Sequence, residues 1–397
     1  MKITFVSNYI NHHQIPLSNA FYEALGEDYT FIQTEPMEKE RKRMGWSVNV
    51  EDIPYVLCSY EEPGKATKLI MESDVVIFGG VKDQEMIIDR LEKKLITFRY
   101  SERIYREGQW KFISPRGLKA KFHDHIRFQN APVYLLCAGG YVASDFHLIH
   151  AYKDKMLSFG YFPEFIDYKD AVHTKRFHFD MELLWAGRFI ELKHPEMALE
   201  VMDAIRNEGI NAHMTMIGAG TMLEEIQNRI SEMGLEDRIT LTGFLTPDKV
   251  REYMRRADIY LFSSDYLEGW GAVLNEAMNS GCAIVANEGI GAVPYLIEDG
   301  VNGFIYKNGD NNECVNKVLE LVRNKELCLK FGRLSYEKIR DEWNAGVAAK
   351  RLLALSEELV NYYKENDVKK APVLSELQVS KTGPVSPAPI IKPGFFT

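Results

Sequence analysis

Short apolar runs, each stopped by a glycine or polar turn and followed by residues at helical spacing, recur along most of this chain. Asp-Val-Val-Ile-Phe at 74–78 ends in Gly79-Gly80, and Asp-Ile-Tyr-Leu-Phe at 258–262 runs into the glycines at 269 and 271. Strands alternating with helices in this way build doubly wound α/β sheets. The first half predicts strands at 2–7, 29–33, 74–78, 95–99, 133–137 and 156–159. The second half predicts them at 183–186, 213–217, 238–241, 258–262 and 282–286. No short-period repeat is present.

A chain of 397 residues suits two such domains. The expected division is 1–165, a linker at 166–180 where periodicity fades, 181–345, a helix at 346–365 and a polar, proline-bearing tail at 366–397. Such a composition predicts disorder for the tail. The segment Glu38–Arg43 is charged and reads as an exposed loop or helix end.

A net charge of −9 argues against a general nucleic-acid binder. Cys58, Cys137, Cys282, Cys314 and Cys328 are scattered with no CxxC pair, so neither a disulfide framework nor a zinc site is indicated, and a reducing cytosol fits. No run approaches the roughly 18 apolar residues of a membrane span. Residues 110–128 instead mix Trp110, Phe112, Phe122 and Phe128 with Lys111, Arg116, Lys119, Lys121 and Arg127. Leu118, Phe122 and Ile126 follow at i, i+4, i+8, an amphipathic helix with a basic face. It suits either docking on an anionic membrane or ordinary core packing with a solvated basic side.

Ligands bind beyond the carboxyl ends of strands in an open parallel sheet. In the first half those places hold Asn8, His12 and His13 after the first strand and Glu102 after the fifth. Each is a candidate ligand contact, and each also has an ordinary reading as turn chemistry or a surface ion pair. In the second half, Arg188 and Lys193 follow the first strand. Gly218-Ala-Gly220 and Gly243-Phe244 follow the next two. The stretch 265–278 (Asp-Tyr-Leu-Glu-Gly-Trp-Gly-Ala-Val-Leu-Asn-Glu-Ala-Met) follows the fourth. A glycine-rich helix start accepts anions. Two cations, two glycine turns and an acid-flanked helix start, in that order, suit a nucleotide diphosphate.

On Gly187-Arg188 with Lys193, Gly218-Ala-Gly220, Gly243-Phe244 and the glutamates Glu268 and Glu276, the chain resembles the retaining glycosyltransferases of family four. The likeness covers about 181–305 and is faint over 1–165. It implies two Rossmann-like domains facing a central cleft (the GT-B fold), with the C-terminal helix packing back toward the N-terminal domain. It implies that Arg188 and Lys193 neutralise the donor diphosphate with the amides around Gly271, Ala272 and Val273. It implies that Glu276 binds the ribose, that Glu268 positions the donor sugar, and that Gly243-Phe244 lies near the base. Gly187, Gly269 and Trp270 complete the expected donor site. Trp270 stands where the family commonly has phenylalanine. Glu288-Gly-Ile-Gly-Ala-Val-Pro294-Tyr295 departs from the usual loop, and Asn8–His13 replaces a diglycine turn. His123 is a candidate for the family's N-domain histidine, with Glu102 in a comparable place.

The function so implied is sugar transfer from a nucleotide-diphospho-sugar, UDP-linked for preference, to a glycan or polyprenyl-linked glycan. The expected setting is bacterial surface polysaccharide synthesis on the inner face of the membrane. Neither a metal nor another cofactor is expected. The alternatives are an epimerase or phosphorylase of the same fold, or a non-catalytic two-lobed sugar or nucleotide binder.

Overall fold

The computed structural model describes residues 1–37, 48–168, 180–366 and 370–394. The chain forms two compact units. One is Met1–Glu164 with the segment from Trp343 onward, and the other is Phe165–Glu342. Most of the expected linker and the charged segment Glu38–Arg43 lie outside the described residues.

The first unit carries β1 (Ile3–Ser7), β2 (Tyr29–Gln33), β3 (Val56–Cys58), β4 (Val75–Gly79), β5 (Thr97–Ser101), β6 (Val133–Ala138) and β7 (Met156–Phe159). They form one seven-stranded parallel sheet in the order β3-β2-β1-β4-β5-β6-β7. The second unit carries β8 (Met181–Ala186), β9 (Ala212–Ile217), β10 (Ile239–Gly243), β11 (Ile259–Phe262), β12 (Ala283–Asn287) and β13 (Gly303–Tyr306). These are ordered β10-β9-β8-β11-β12-β13, again parallel. Strand order reverses between β1 and β4 in one sheet and between β8 and β11 in the other. Loops beyond those strand ends splay apart and leave room for a ligand.

The strands expected from the apolar runs all form. β3 and β13 were not expected, because both are short edge strands, and the latter starts at Gly303, which reads from sequence as a turn. In the second unit, Met197, Leu199, Met202 and Ile205 from helix Glu196–Asn207 join Met214, Met216, Leu261 and Val285 in a buried core. Thr221 and Glu224 stand at capping-box spacing, but the helix begins at Leu223, with Met222 at its N-cap and no side-chain cap. Pro247, whose missing N–H costs nothing in a first turn, opens the next helix, Pro247–Arg256.

The tail is a correction. Residues 370–394 are ordered against the first unit. β7 is an edge strand, and an edge presents unpaired backbone groups. The tail satisfies them in antiparallel fashion. The Val385 N–H donates to Ser158 O at 2.8 Å, the Ser158 N–H to Ser386 O at 2.7 Å, and the Ala388 N–H to Met156 O at 2.9 Å. Val385, Leu374 and Ala371 are buried, and Arg351 donates to Thr382 O and Pro384 O. Prolines are tolerated there because an edge strand needs only one side paired. The helix Ala345–Glu365, expected at 346–365, packs on helix Ile15–Leu25 of the same unit.

The basic-aromatic stretch also differs from its expected form. Its helix is only Pro115–Asp124. Ile126 packs on the core, whereas Leu118 and Phe122 face solvent, as do Trp110 and Ile113 just before the helix.

Candidate functional site

The second unit gathers its expected residues at the β8/β11 reversal. Gly187 directly follows β8, and the loop it begins carries Arg188 and Lys193. The loop after β11 carries Asp265, Glu268 and the glycines. Lys193 Nζ forms an ion pair with Glu268 Oε2, and both side chains are only 14% and 16% exposed. Two strands, β9 and β10, lie between β8 and β11 in the chain, but in space the pairing of β8 with β11 makes these residues neighbours. Arg188 is exposed and makes no ion pair with the described residues, so its guanidinium is available to an anion.

The glycine turns hold this loop from the other side. Gly218 has φ +141, and a β-carbon on it would lie 1.8 Å from the Gly187 carbonyl oxygen; one on Gly220 would lie 2.3 Å from Phe189 O. The reason is hydrogen bonding: the Gly187 N–H donates to Ile217 O, the Phe189 N–H to Ala219 O, and the Met222 N–H to Phe189 O. These glycines therefore let the β9 loop press against the cation loop. Gly243 closes β10, and Phe244 beside it is 54% exposed, an aromatic face open to a planar group.

The acid-flanked helix is short, Val273–Asn279. Seven residues develop little macrodipole, so positive charge at this site comes chiefly from Arg188 and Lys193. Gly269, Gly271, Ala272 and Val273 form the turn into it. Trp270 is buried, and its Nε1–H donates to Asn275 Oδ1 at 2.8 Å, so its indole props the turn from behind. Glu276 sits within the helix, and Arg251 lies 3.4 Å away. Burial pushes the Glu276 carboxyl above the usual carboxylate range, with Arg251 opposing it. The departing loop 287–295 braces the same turn: the Gly291 N–H donates to Gly269 O and the Ala292 N–H to Trp270 O. A β-carbon on Gly291 would lie 2.1 Å from Gly269 O.

Sequence reasoning missed Arg251, His194 and Asp265. His194 Nδ1 is 2.8 Å from Glu196 Oε1, and its Nε2 is 3.3 Å from Asp265 Oδ2. Ser263 was missed too. Its hydroxyl accepts from Trp185 Nε1–H and donates to Lys193 O at 2.7 Å. The signals were present only as neighbours of flagged residues: His194 follows Lys193, and Asp265 precedes Glu268 by one turn.

In the first unit, the loop after β1 lies beside Gly80. Asn8 Oδ1 accepts from the Tyr9 N–H at 2.9 Å, a turn-making role. The His12 and His13 rings are 3.8 Å apart, and His13 stacks on Tyr161 at 6.3 Å. The Tyr161 hydroxyl donates to Glu102 Oε1 at 2.6 Å, and Glu102 also pairs with Arg106. Thus His13 and Glu102 are linked through Tyr161. His123 lies elsewhere, exposed on helix Pro115–Asp124, with Asp124 Oδ1 3.0 Å from its Nδ1.

Comparison with known proteins bears on this arrangement. Residues 174–338 match the sequence model of the glycosyl transferases group 1. An amylovoran biosynthesis glycosyltransferase of Erwinia amylovora is 28% identical over 196 residues, covering 48% of this chain and 47% of that one. A poly(ribitol-phosphate) alpha-N-acetylglucosaminyltransferase of Staphylococcus aureus is 27% identical over 176 residues, 44% and 35% of the two chains. The matched segment thus spans half or less of these relatives' lengths. Among solved structures, HepE of Anabaena in complex with UDP superposes with a TM-score of 0.64 at 13% identity, covering 92% of this chain and 100% of that one. That likeness shows the fold, two Rossmann-like units of the GT-B class.

Proposed function

We propose that this chain, whose residues 174–338 match the model of the group 1 glycosyl transferases, is a retaining glycosyltransferase that uses a nucleotide-diphospho-sugar. The observation that carries the reading is the Lys193–Glu268 pair at the β8/β11 reversal, with Arg188 beside it in no ion pair among the described residues. A diphosphate entering there meets the exposed Arg188 guanidinium and one ammonium already held in place. Charge fixed before the reaction stabilises the leaving group without reorganisation. In the transfer, the bond from the sugar's anomeric carbon to the diphosphate oxygen breaks. A bond from the acceptor oxygen to that carbon forms on the same face, and the acceptor's proton passes to the departing phosphate. Glu268 positions the sugar, Glu276 accepts from the ribose hydroxyls, and the Phe244 ring takes the base. Two cations suffice for the diphosphate, so the reaction needs no metal.

A UDP-sugar is the first candidate donor, in keeping with the UDP bound by the Anabaena relative of like fold. The acceptor is a glycan, free or polyprenyl-linked, in the synthesis of a bacterial surface polymer, as the names of the relatives suggest. Contact with a membrane is supported by the exposed ridge of the first unit. Trp110 is 67% and Phe122 56% exposed. At about 100° per residue, Lys119 and Lys121 flank the Leu118–Phe122 line on either side of the helix. Apolar side chains flanked by lysines suit an anionic bilayer at the inner face.

The deciding experiment presents a panel of nucleotide-diphospho-sugars with and without EDTA, and follows nucleoside diphosphate release and the anomer formed. The expected result is release from one UDP-sugar, an α-linked product from an α-linked donor, and no loss with chelator. Binding without release supports a non-catalytic binder, and an altered sugar still attached to nucleotide supports an epimerase; either refutes the transferase. Loss with EDTA restored by manganese refutes the metal-free mechanism. Separately, the protein should co-sediment with phosphatidylglycerol vesicles and detach in high salt. Co-sedimentation undiminished by Trp110→Ser with Phe122→Ser would refute the ridge as the contact.

A further inference from the structure

His194 adopts a left-handed backbone, φ 46 and ψ 56. A β-carbon is crowded in that conformation, which glycine would hold freely. Strain of this kind persists where the surroundings over-determine it. Here the side chain supplies the restraint. One ring nitrogen reaches Glu196 at the start of helix Glu196–Asn207, and the other reaches Asp265 in the loop after β11. The two carboxylates belong to segments on either side of the β8/β11 reversal. Glu196 Oε2 is buried with no hydrogen-bond partner among the described residues, so the imidazole at Oε1 is the carboxylate's direct side-chain partner, with Arg229 adding positive charge from the next helix. The neighbouring backbone makes the same join, the Asp265 N–H donating to Leu192 O at 2.9 Å. Lys193 is the next residue in one direction, and Glu268 is three residues beyond Asp265 in the other.

We infer that His194, as an imidazolium, is a positioning residue that fastens the loop bearing Arg188 and Lys193 to the loop bearing Glu268, and so fixes Lys193 for the donor diphosphate. The inference rests on the transferase reading for its kinetic consequence. The charged groups facing the ring are Glu196 and Asp265; Lys193 adjoins it in the chain, and Arg229 acts on Glu196 from the next helix. Hydrogen bonds to Asp265 and Glu196 hold the imidazole up to about 9, against burial. Its folded value exceeds the ordinary one, so the fastening is complete below about 6.5 and is lost as pH rises through about 9.

The test compares wild type with His194→Gly, which relaxes the backbone and removes both contacts. A displaced Lys193 should lower kcat about 10- to 100-fold and weaken UDP affinity, since small misplacements at a reacting centre have effects of that order. The folding midpoint should fall little or rise, because strain is relieved. The alkaline fall of wild-type activity near pH 9 should disappear in the variant. Wild-type kinetics and UDP affinity in His194→Gly, or an imidazole resonance titrating near 6.5, would overturn the inference. If wild type transfers nothing from any nucleotide sugar, the transferase reading fails alone, and the imidazole titration with UDP calorimetry still decides the role of His194.

Discussion

The loop after β8 in the second unit and the loop after β1 in the first occupy the same place in their sheets, beside the strand-order reversal. Their side chains are used differently. After β8, Arg188 makes no ion pair with the described residues and Lys193 pairs with an acid across the reversal. After β1, Asn8 closes its own turn, and His13 lies against an aromatic ring whose hydroxyl holds Glu102. One loop presents charge, and the other presents a stacked, hydrogen-bonded wall. Charge suits a phosphate, whereas a ring and a shared carboxylate suit sugar hydroxyls and their apolar faces. The difference teaches that equivalent topology fixes where a ligand goes and leaves open what it is.

Substitutions can break that contrast. The largest effect belongs to Lys193→Ala, which should lower kcat about 100- to 1000-fold, the scale for deleting one preorganised charge partner. Steady-state kinetics with saturating donor would measure it, and a change confined to KM would mean that Lys193 only binds. Glu276→Ala should come next. It should raise the donor Kd about 10- to 100-fold with a smaller effect on kcat, the scale for hydrogen bonds to a charged group. Because burial raises the Glu276 carboxyl, donor affinity should fall toward acid pH as that carboxylate protonates, and stay level in Glu276→Gln. A wild-type affinity flat from neutral to acid pH would separate Glu276 from the ligand. Glu102→Gln in the first unit should be the mildest. It keeps an acceptor for the Tyr161 hydroxyl and removes the charge opposite Arg106. A several-fold rise in acceptor KM, about 1 kcal/mol, with unchanged donor hydrolysis is expected. A fall in donor hydrolysis would move Glu102 to the donor's side of the contrast.

The same contrast explains what could be read from the sequence. Arg188, Lys193 and Glu268 are charged residues on loops at strand ends, where no turn needs them, and Glu276 lies in the helix that one such loop opens, so their positions stand out. Gly218 and Gly220 stand out as well, although their task is to admit Gly187 O and Phe189 O rather than a ligand. Arg251 does not stand out, because it lies in mid-helix among other bases, and only packing brings it to Glu276. His13 and Glu102 are about ninety residues apart in the chain, and their link through Tyr161 depends on the sheet as a whole. The tail was misread for a related reason. Its composition cannot build a core of its own, but an open strand edge supplied backbone partners and made that unnecessary.

The first unit's discontinuity has a consequence for the chain as it is made. Its sheet is encoded before residue 164, yet the helix that packs on Ile15–Leu25 and the segment that pairs with β7 follow residue 343. At the usual 5–20 residues per second, synthesis of the intervening unit takes roughly 10–40 s. Throughout that interval β7 is an open edge on a nascent sheet. The second unit, though later in sequence, is the first whose every element has emerged from the ribosome.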